Sequence, residues 1–245
     1  MANLIIDEGN TLCKIAVLDK SEVLCEWSDN EFDMAKATEC VEQFSIDKAI
    51  VASTRGGAEQ ICNTLRSKID RVLHFSSQTE VPIEIAYSSC QTLGADRIAV
   101  AVGVVCEMGV KDALVIDMGS AITYDIIENG VFKGGNISPG VAMRFKALHD
   151  YTAALPLCEA TEPNGEFGKS TQEAIEQGVM QGILYEIEGY VERVSAENDK
   201  KSIIFCGGDA ESFVNRIKSA IFAPRKLMFT GLNRILEYNV SKNNI

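Results

Sequence analysis

A few short segments of this 245-residue chain carry nearly all the residues whose types and spacing suit chemistry on an anionic substrate. The first is Asp7-Glu8-Gly9-Asn10-Thr11, which follows the apolar run Leu4-Ile5-Ile6. A carboxylate at a strand end suits a magnesium ion held through water and substrate phosphates. Gly9 permits an unusual backbone turn, Asn10, Thr11 and the turn amides can face phosphate oxygens, and Lys14 adds a point charge. The same residues also make a plain Asx hairpin turn, and the segment alone does not separate the two. In the second, Asp117-Met118-Gly119-Ser120-Ala121, the carboxylate again ends a strand. Thr123 and Asp125 follow on alternate positions of the next strand, hence on one face. Such oxygens hold a cation or orient a phosphate; a solvated strand face is the other reading.

Two glycine-rich segments add to these. Gly134-Gly135-Asn136-Ile137-Ser138-Pro139-Gly140 is too rich in glycine for a strand and precedes a helix expected over residues 141–149. A loop presenting backbone amides at a helix N-terminus suits a phosphate or a bound nucleotide. Gly207-Gly208-Asp209 makes a similar close-approach turn, suited to an adenine or ribose. Simple strand-to-helix turns look the same, so the weight lies in their occurring together. The most pointed cluster is Gly94-Ala95-Asp96-Arg97. A carboxylate within hydrogen-bond reach can take the proton of an attacking hydroxyl, and an arginine grips a carboxylate through two parallel hydrogen bonds. A local ion pair or a helix N-cap would use the same two side chains. His74 and His149 lie near no such cluster and read as structural.

Positioning these residues requires alternating strands and helices. Strands are expected over residues 4–7, 13–19, 22–26, 48–53, 72–76, 113–117, 121–127, 131–133 and 201–206. Helices are expected over 34–44, 58–69, 95–108, 141–149, 210–219 and 232–238. Asn129-Gly130 is a type I′ hairpin signal. The longest helix opens at Ser170-Thr171, with Ile175, Val179, Ile183, Ile187, Tyr190 and Val194 at helical spacing. Within it Ala174, Gly178 and Gly182 recur every four residues. Each interior glycine costs about 1 kcal/mol relative to alanine, so a second helix is expected to approach that face, from the same subunit or from a symmetric partner. Leu4-Ile5-Ile6-Asp7-Glu8-Gly9 and Leu114-Val115-Ile116-Asp117-Met118-Gly119 match, which suggests an internal duplication in an α/β chain.

Composition excludes several classes. An apolar share of 46% and a charged share of 24% are those of an ordinary globular protein. Apolar runs stop far short of the roughly 20 residues of a membrane span, and Asp7 interrupts what an export signal would need. A net charge of −12 without a basic run argues against a nucleic-acid platform. The eight cysteines show no CxxC and no nearby histidine, so reduced core thiols in a cytoplasmic protein are expected.

The order of these motifs resembles a known family along almost the whole chain. The Asp7 and Asp117 segments look like the two phosphate motifs of the acetate kinase/sugar kinase/Hsp70/actin superfamily, and Gly207-Gly208 like its adenosine loop. Gly94-Ala95-Asp96-Arg97, then Asp117-Met-Gly-Ser-Ala-Ile-Thr123, then the 134–140 segment, resembles type III pantothenate kinase; Gly168-Lys169-Ser170-Thr171 also fits. The resemblance implies duplicated actin-like (ribonuclease H-like) domains over residues 1–112 and 113–245, with mixed sheets flanked by helices. It implies ATP-dependent phosphorylation of pantothenate, with Mg2+, a monovalent cation (K+ or NH4+) and a homodimer, and with no nucleic-acid or membrane partner. By the same resemblance Asp7, Glu8, Gly9, Asn10, Thr11, Leu12, Cys13, Lys14 and Ser120 would meet ATP. Asp96 would be the general base, Tyr87, Gly94, Ala95, Asp96, Arg97 and Thr171 would meet pantothenate, and Asp117 would hold the monovalent cation. Three positions depart from the family pattern: Ser89-Cys90 replaces Asn-Pro, Ser120 replaces threonine and Glu8 replaces an apolar residue. An acid at Glu8 beside polyphosphate is unfavourable, so it should point away. A nucleotide-binding regulator without kinase activity, a hydrolysing ATPase that drives movement, and a kinase for another small hydroxy acid or sugar are the competing readings.

Overall fold

In the computed structural model, which describes residues 2–161, 167–197, 200–217, 220–223 and 226–245, the run Leu4-Ile5-Ile6 becomes the middle of a sheet. The chain gathers into two units: residues 1–111, 129–133 and 226–245 form the first, and residues 112–128 and 134–225 the second. The first unit runs β1 (Asn3–Glu8), β2 (Cys13–Asp19), β3 (Glu22–Asp29), α1 (Met34–Phe44), β4 (Lys48–Ser53), α2 (Ala58–Leu65), β5 (Arg71–His74), β6 (Glu84–Ile85) and α3 (Ala95–Val102). Its sheet has the order β3-β2-β1-β4-β5, with β1 antiparallel to β2 and parallel to β4. Leu4, Ile5 and Ile6 are fully buried because β1 is central and covered on both faces, whereas β3 at the edge alternates exposed and half-buried positions. Asp33 caps α1 by accepting from the Ala35 and Lys36 N–H groups at 2.8 and 3.2 Å.

The second unit contains β7 (Ala113–Met118), β8 (Ala121–Glu128), β9 (Val131–Pro139), α4 (Val141–Asp150), α5 (Thr171–Glu197), β10 (Ser202–Cys206), α6 (Glu211–Val214) and β11 (Ala220–Phe222). Its strand order β9-β8-β7-β10-β11 repeats that of the first unit: a three-strand meander followed by two parallel strands. The opening residues of β9, Val131 and Phe132, group with the first unit and pair in parallel with Glu84 and Ile85 of β6. On α5 the expected apolar positions Ile175, Val179, Ile183, Ile187 and Val194 are buried and Tyr190 packs against them.

Several expectations are corrected. The glycine-rich 134–140 segment is not a loop: β9 runs through it as far as Pro139. A Cβ at Gly135 would lie 2.1 Å from the Tyr124 carbonyl oxygen, so the glycine serves a close strand approach. Asn136 donates to the Tyr190 hydroxyl at 2.9 Å, and Ser138 accepts from Arg144 of α4 at 2.9 Å, so these side chains tie the strand to helices. The helix expected over 210–219 is only the four residues of α6, followed by turns; residues 218 and 219 lie outside the described residues. Strands β6 and β11 are too short for a periodic pattern, and neither was expected. The face of α5 bearing Gly178 and Gly182 meets no atom of its own chain within 4 Å, among the described residues, of a Cβ built at either glycine.

The closing helix, α7 (Leu227–Ser241), is twice the expected length and belongs to the first unit, so a single cut at residue 112 does not describe the grouping. It packs on α3 and on the π-helical turn Gly103–Glu107 that continues α3. The crossing is backbone against backbone: a Cβ at Gly231 would sit 1.9 Å from the Ala99 carbonyl oxygen, and one at Gly103 would sit 2.6 Å from that of Leu227. Polar bonds also fix α7 against β1. The Asn3 amide donates to Asn233 Oδ1 and to Glu237 Oε1, both at 2.7 Å, and Lys48 pairs with Glu237 at 2.6 Å. Gly231→Ala should therefore cost more than the roughly 1–3 kcal/mol of ordinary overpacking, read as a lower urea midpoint at unchanged slope. Gly189→Ala, on an open part of α5, is the control and should leave the midpoint level or higher.

Candidate active site

The first unit places one group of candidate residues at the end of the β1–β2 hairpin. Asp7 is buried at 6% exposure and faces Lys14 across the antiparallel pair, with Ala52 of β4 on its other side. The turn closes through the Gly9 N–H, which donates to the Leu12 carbonyl at 2.9 Å. Gly9 does not have a positive φ; a Cβ there would come 3.2 Å from that same carbonyl. Asn10, Thr11 and Leu12 are exposed on the turn. Glu8 turns its carboxylate onto the Ser53 hydroxyl at the end of β4. Cys13 is buried, and burial, with the charges of Glu8 and Asp7, pushes its thiol up to about 11. Sequence reasoning missed the segment after β4: Ser53, Thr54 and Arg55 all bond to the hairpin, and only their place after a buried strand signalled them.

The start of α3 gathers the second group. Gly94 is the residue before the helix, and a Cβ on it would come 2.4 Å from Asp96 Oδ1, so only glycine leaves that carboxylate in place. Asp96 Oδ1 accepts the Arg97 N–H at 2.8 Å; among the described residues Oδ2 has no hydrogen-bond partner. Arg97 is 6% exposed, and its guanidinium carbon lies 5.8 Å from the Tyr87 ring centre and 5.6 Å from that of Phe132. The two rings meet edge-on at 6.1 Å. A buried cation against aromatic rings is attracted by them. Phe132 was not foreseen. It reaches Arg97 because the β6–β9 pair carries it there, its carbonyl accepting the Ala86 N–H at 2.9 Å. The Ser89-Cys90 departure is absorbed in a 3-10 turn over Cys90–Thr92, where the Cys90 thiol donates to the Tyr87 carbonyl at 2.9 Å.

In the second unit Asp117 occupies on β7 the position that Asp7 holds on β1, one residue from the strand end, paired with Thr123 and Cys206. Gly207 has φ +92°, and a Cβ there would lie 2.5 Å from Asp117 Oδ1, so the glycine turn and the carboxylate share one tight corner. Burial raises the Asp209 carboxyl above its ordinary value. Ser120 is exposed in the β7–β8 turn. Thr123 and Asp125 do not lie on a solvated face: they are 9% and 3% exposed, and the Thr123 hydroxyl donates to Asp125 Oδ2 at 3.2 Å. Thr171 is the exposed first residue of α5; Ser170 caps that helix by accepting the Glu173 N–H at 3.2 Å. His149 bonds the Leu155 carbonyl at 2.9 Å, which fits its structural reading.

Oxygen donors at strand ends suit hard cations such as magnesium and potassium. Among the described residues no three His, Cys, Asp or Glu side chains gather closely enough to hold a metal by themselves. An ion here would complete its shell with substrate oxygens and water, the usual habit of magnesium at phosphates.

The family model for type III pantothenate kinase matches residues 3–193. A type III pantothenate kinase of Bacteroides fragilis is 40% identical over 238 residues, covering 97% of this chain and 98% of that protein. A Campylobacter jejuni structure, assigned to the Baf family of transcriptional activators, superposes with TM-score 0.64 at 25% identity over 97% of this chain and 99% of that one. A ROK family glucokinase from Streptomyces griseus, solved with glucose and AMPPNP, shares the fold with TM-score 0.55 at 11% identity, covering 97% of this chain and all of that one. The strand order repeated in both units is the actin-like architecture of such sugar kinases.

None of the eight cysteines is in a disulfide among the described residues; Cys90 is exposed, whereas Cys13, Cys40 and Cys62 are buried, with thiols pushed up to about 11, chiefly by burial. Because the thiolate is the nucleophile, brief alkylation at pH 8 should label Cys90 and spare those three until denaturant is added. Peptide mass spectrometry reads the order, and early labelling of Cys13 would contradict it.

Proposed function

The chain belongs to the type III pantothenate kinase family and phosphorylates pantothenate with ATP in coenzyme A biosynthesis, and on that premise we propose that Asp96 is the base of the transfer. What carries this is the pairing at the start of α3. One oxygen of Asp96 is engaged by the Arg97 N–H, and the other has no partner among the described residues. Beside it, Arg97 is a buried cation among Tyr87 and Phe132, suited to the carboxylate of pantothenate. With that carboxylate gripped, Asp96 Oδ2 takes the proton of the attacking hydroxyl.

In the first unit Asp7, Glu8, Gly9, Asn10, Thr11, Leu12, Cys13 and Lys14 form the ATP-receiving hairpin, with Glu8 contributing through its backbone because its carboxylate is bonded to Ser53. In the second, Ser120 orients phosphate and Asp117 holds K+ or NH4+. Bound Mg2+ neutralises charge on the phosphate oxygens. The open Gly178 and Gly182 face of α5 supports a homodimer, in which Thr171 of each chain reaches the pantothenate held by its neighbour. No helix among the described residues is long and apolar enough to cross a membrane.

Asp96→Asn should lower turnover by about 10²–10⁴-fold while leaving the KM for ATP within about twofold, in an assay of ADP release with and without pantothenate. Turnover within a few-fold of the parent would overturn the assignment. ADP release that ignores pantothenate would favour the hydrolysing ATPase instead, and ATP binding without ADP release the nucleotide-binding regulator. Gly178→Leu should run as a monomer in size-exclusion chromatography and bind ATP, yet phosphorylate pantothenate poorly; a parent that is itself monomeric would remove the shared site.

A further inference from the structure

We propose that Arg55, oriented by the Glu8–Ser53 pair, is a positioning residue that holds the 9–12 turn in its ATP-receiving shape. The proposal rests on the reading that residues 7–14 meet ATP. It also accounts for Glu8, an acid within a segment that must accept a polyanion.

After β4 the chain folds back over the β1–β2 hairpin. The Glu8 carbonyl accepts the Thr54 N–H at 2.9 Å and the Thr54 hydroxyl at 3.2 Å. Ser53 uses its full hydrogen-bonding capacity here: its hydroxyl donates to the Glu8 carboxylate and accepts the N–H groups of Arg55 and Gly57 at 3.1 and 3.2 Å. The Glu8 carboxylate packs directly on Gly57, where a Cβ would come 2.7 Å from Oε2. The acid is thus fastened sideways into the loop that carries Arg55, and it sets where the Arg55 backbone starts.

From that base the guanidinium spans two carbonyls. Nη2 donates to Asn10 in the middle of the turn at 3.0 Å, and Nη1 donates to Asn30 just beyond β3 at 2.7 Å. A peptide group is planar and trans, so the carbonyl of Asn10 and the N–H of Thr11 point in opposite directions. Fixing the Asn10 oxygen therefore fixes the direction of the Thr11 amide, one of the groups that meets phosphate in this reading. Without the arginine the exposed peptide can rotate and present its carbonyl, a repulsive dipole, to the same oxygens. Lysine cannot replace it, because a single ammonium lacks the rigid fork that reaches two acceptors at once.

The test compares steady-state constants of the purified full chain for Asp7→Asn, Arg55→Gln, Arg55→Lys, Glu8→Ala and the double variant Glu8→Ala/Arg55→Gln, with thermal melts of each. Arg55→Gln should raise the KM for ATP about tenfold and leave the KM for pantothenate within about twofold. Arg55→Lys should recover less than half of that loss, on a logarithmic scale, at an unchanged melting temperature. Glu8→Ala should weaken ATP in the same direction, and the double variant should equal Arg55→Gln alone, because Glu8 acts through the arginine. An unchanged KM for ATP in Arg55→Gln while Asp7→Asn raises it overturns the positioning role and leaves the ATP assignment standing. No change in either variant overturns both. Full rescue by lysine, or additive losses in the double variant, also overturns the proposal, since a bare charge or general destabilisation would then suffice.

Discussion

A carboxylate at the end of a fully buried strand is the feature on which the rest of the molecule depends. Removing an ionised group from water is expensive unless something polar meets it, so Asp7 and Asp117 can stand only where a strand leaves the core. Both units solve this alike. The central strand is paired antiparallel on one side and parallel on the other, and the acid sits one residue from its end, beside a glycine turn. The apolar run before each acid supplies the burial, and the turn after it supplies amides and hydroxyls. The repeated strand order follows from that repeated need.

Steric closeness is the second requirement. Where α7 crosses α3 the two helices touch through Gly103 and Gly231, with backbone oxygens where side chains would otherwise be. That contact fixes the axis of α3 and hence the direction in which its first turn presents Asp96 and Arg97. The π-helical turn at the crossing is consistent with a helix fitted to its neighbour rather than to its own ideal geometry. Helix α7 thereby helps to position the first turn of α3.

Arg97 is a buried cation in the proposed pantothenate site. A guanidinium at 6% exposure beside two aromatic rings is attracted by their faces. In the proposed pantothenate site a substrate carboxylate would meet a cation already desolvated, so less reorganisation would oppose binding.

The sequence by itself determined the local pieces. The hairpins around Asp7 and Asp117, the I′ turn at Asn129-Gly130, the apolar face of α5 and the start of α3 follow from periodicity and turn chemistry over a dozen residues or fewer. The motif order was enough to reach the family. Tertiary structure alone decided what lies far apart in the chain. Phe132 meets Arg97 only because β6 finds β9, and Arg55 reaches Asn10 only because β4 lies beside β1. The 134–140 segment, glycine-rich and loop-like by composition, is a strand because β8 and two helices give its backbone and side chains partners. Helix α7 joins the first unit because its one glycine fits against Ala99. In each case local propensity was weak or misleading, and the deciding energy came from contacts whose partners no short window of sequence contains.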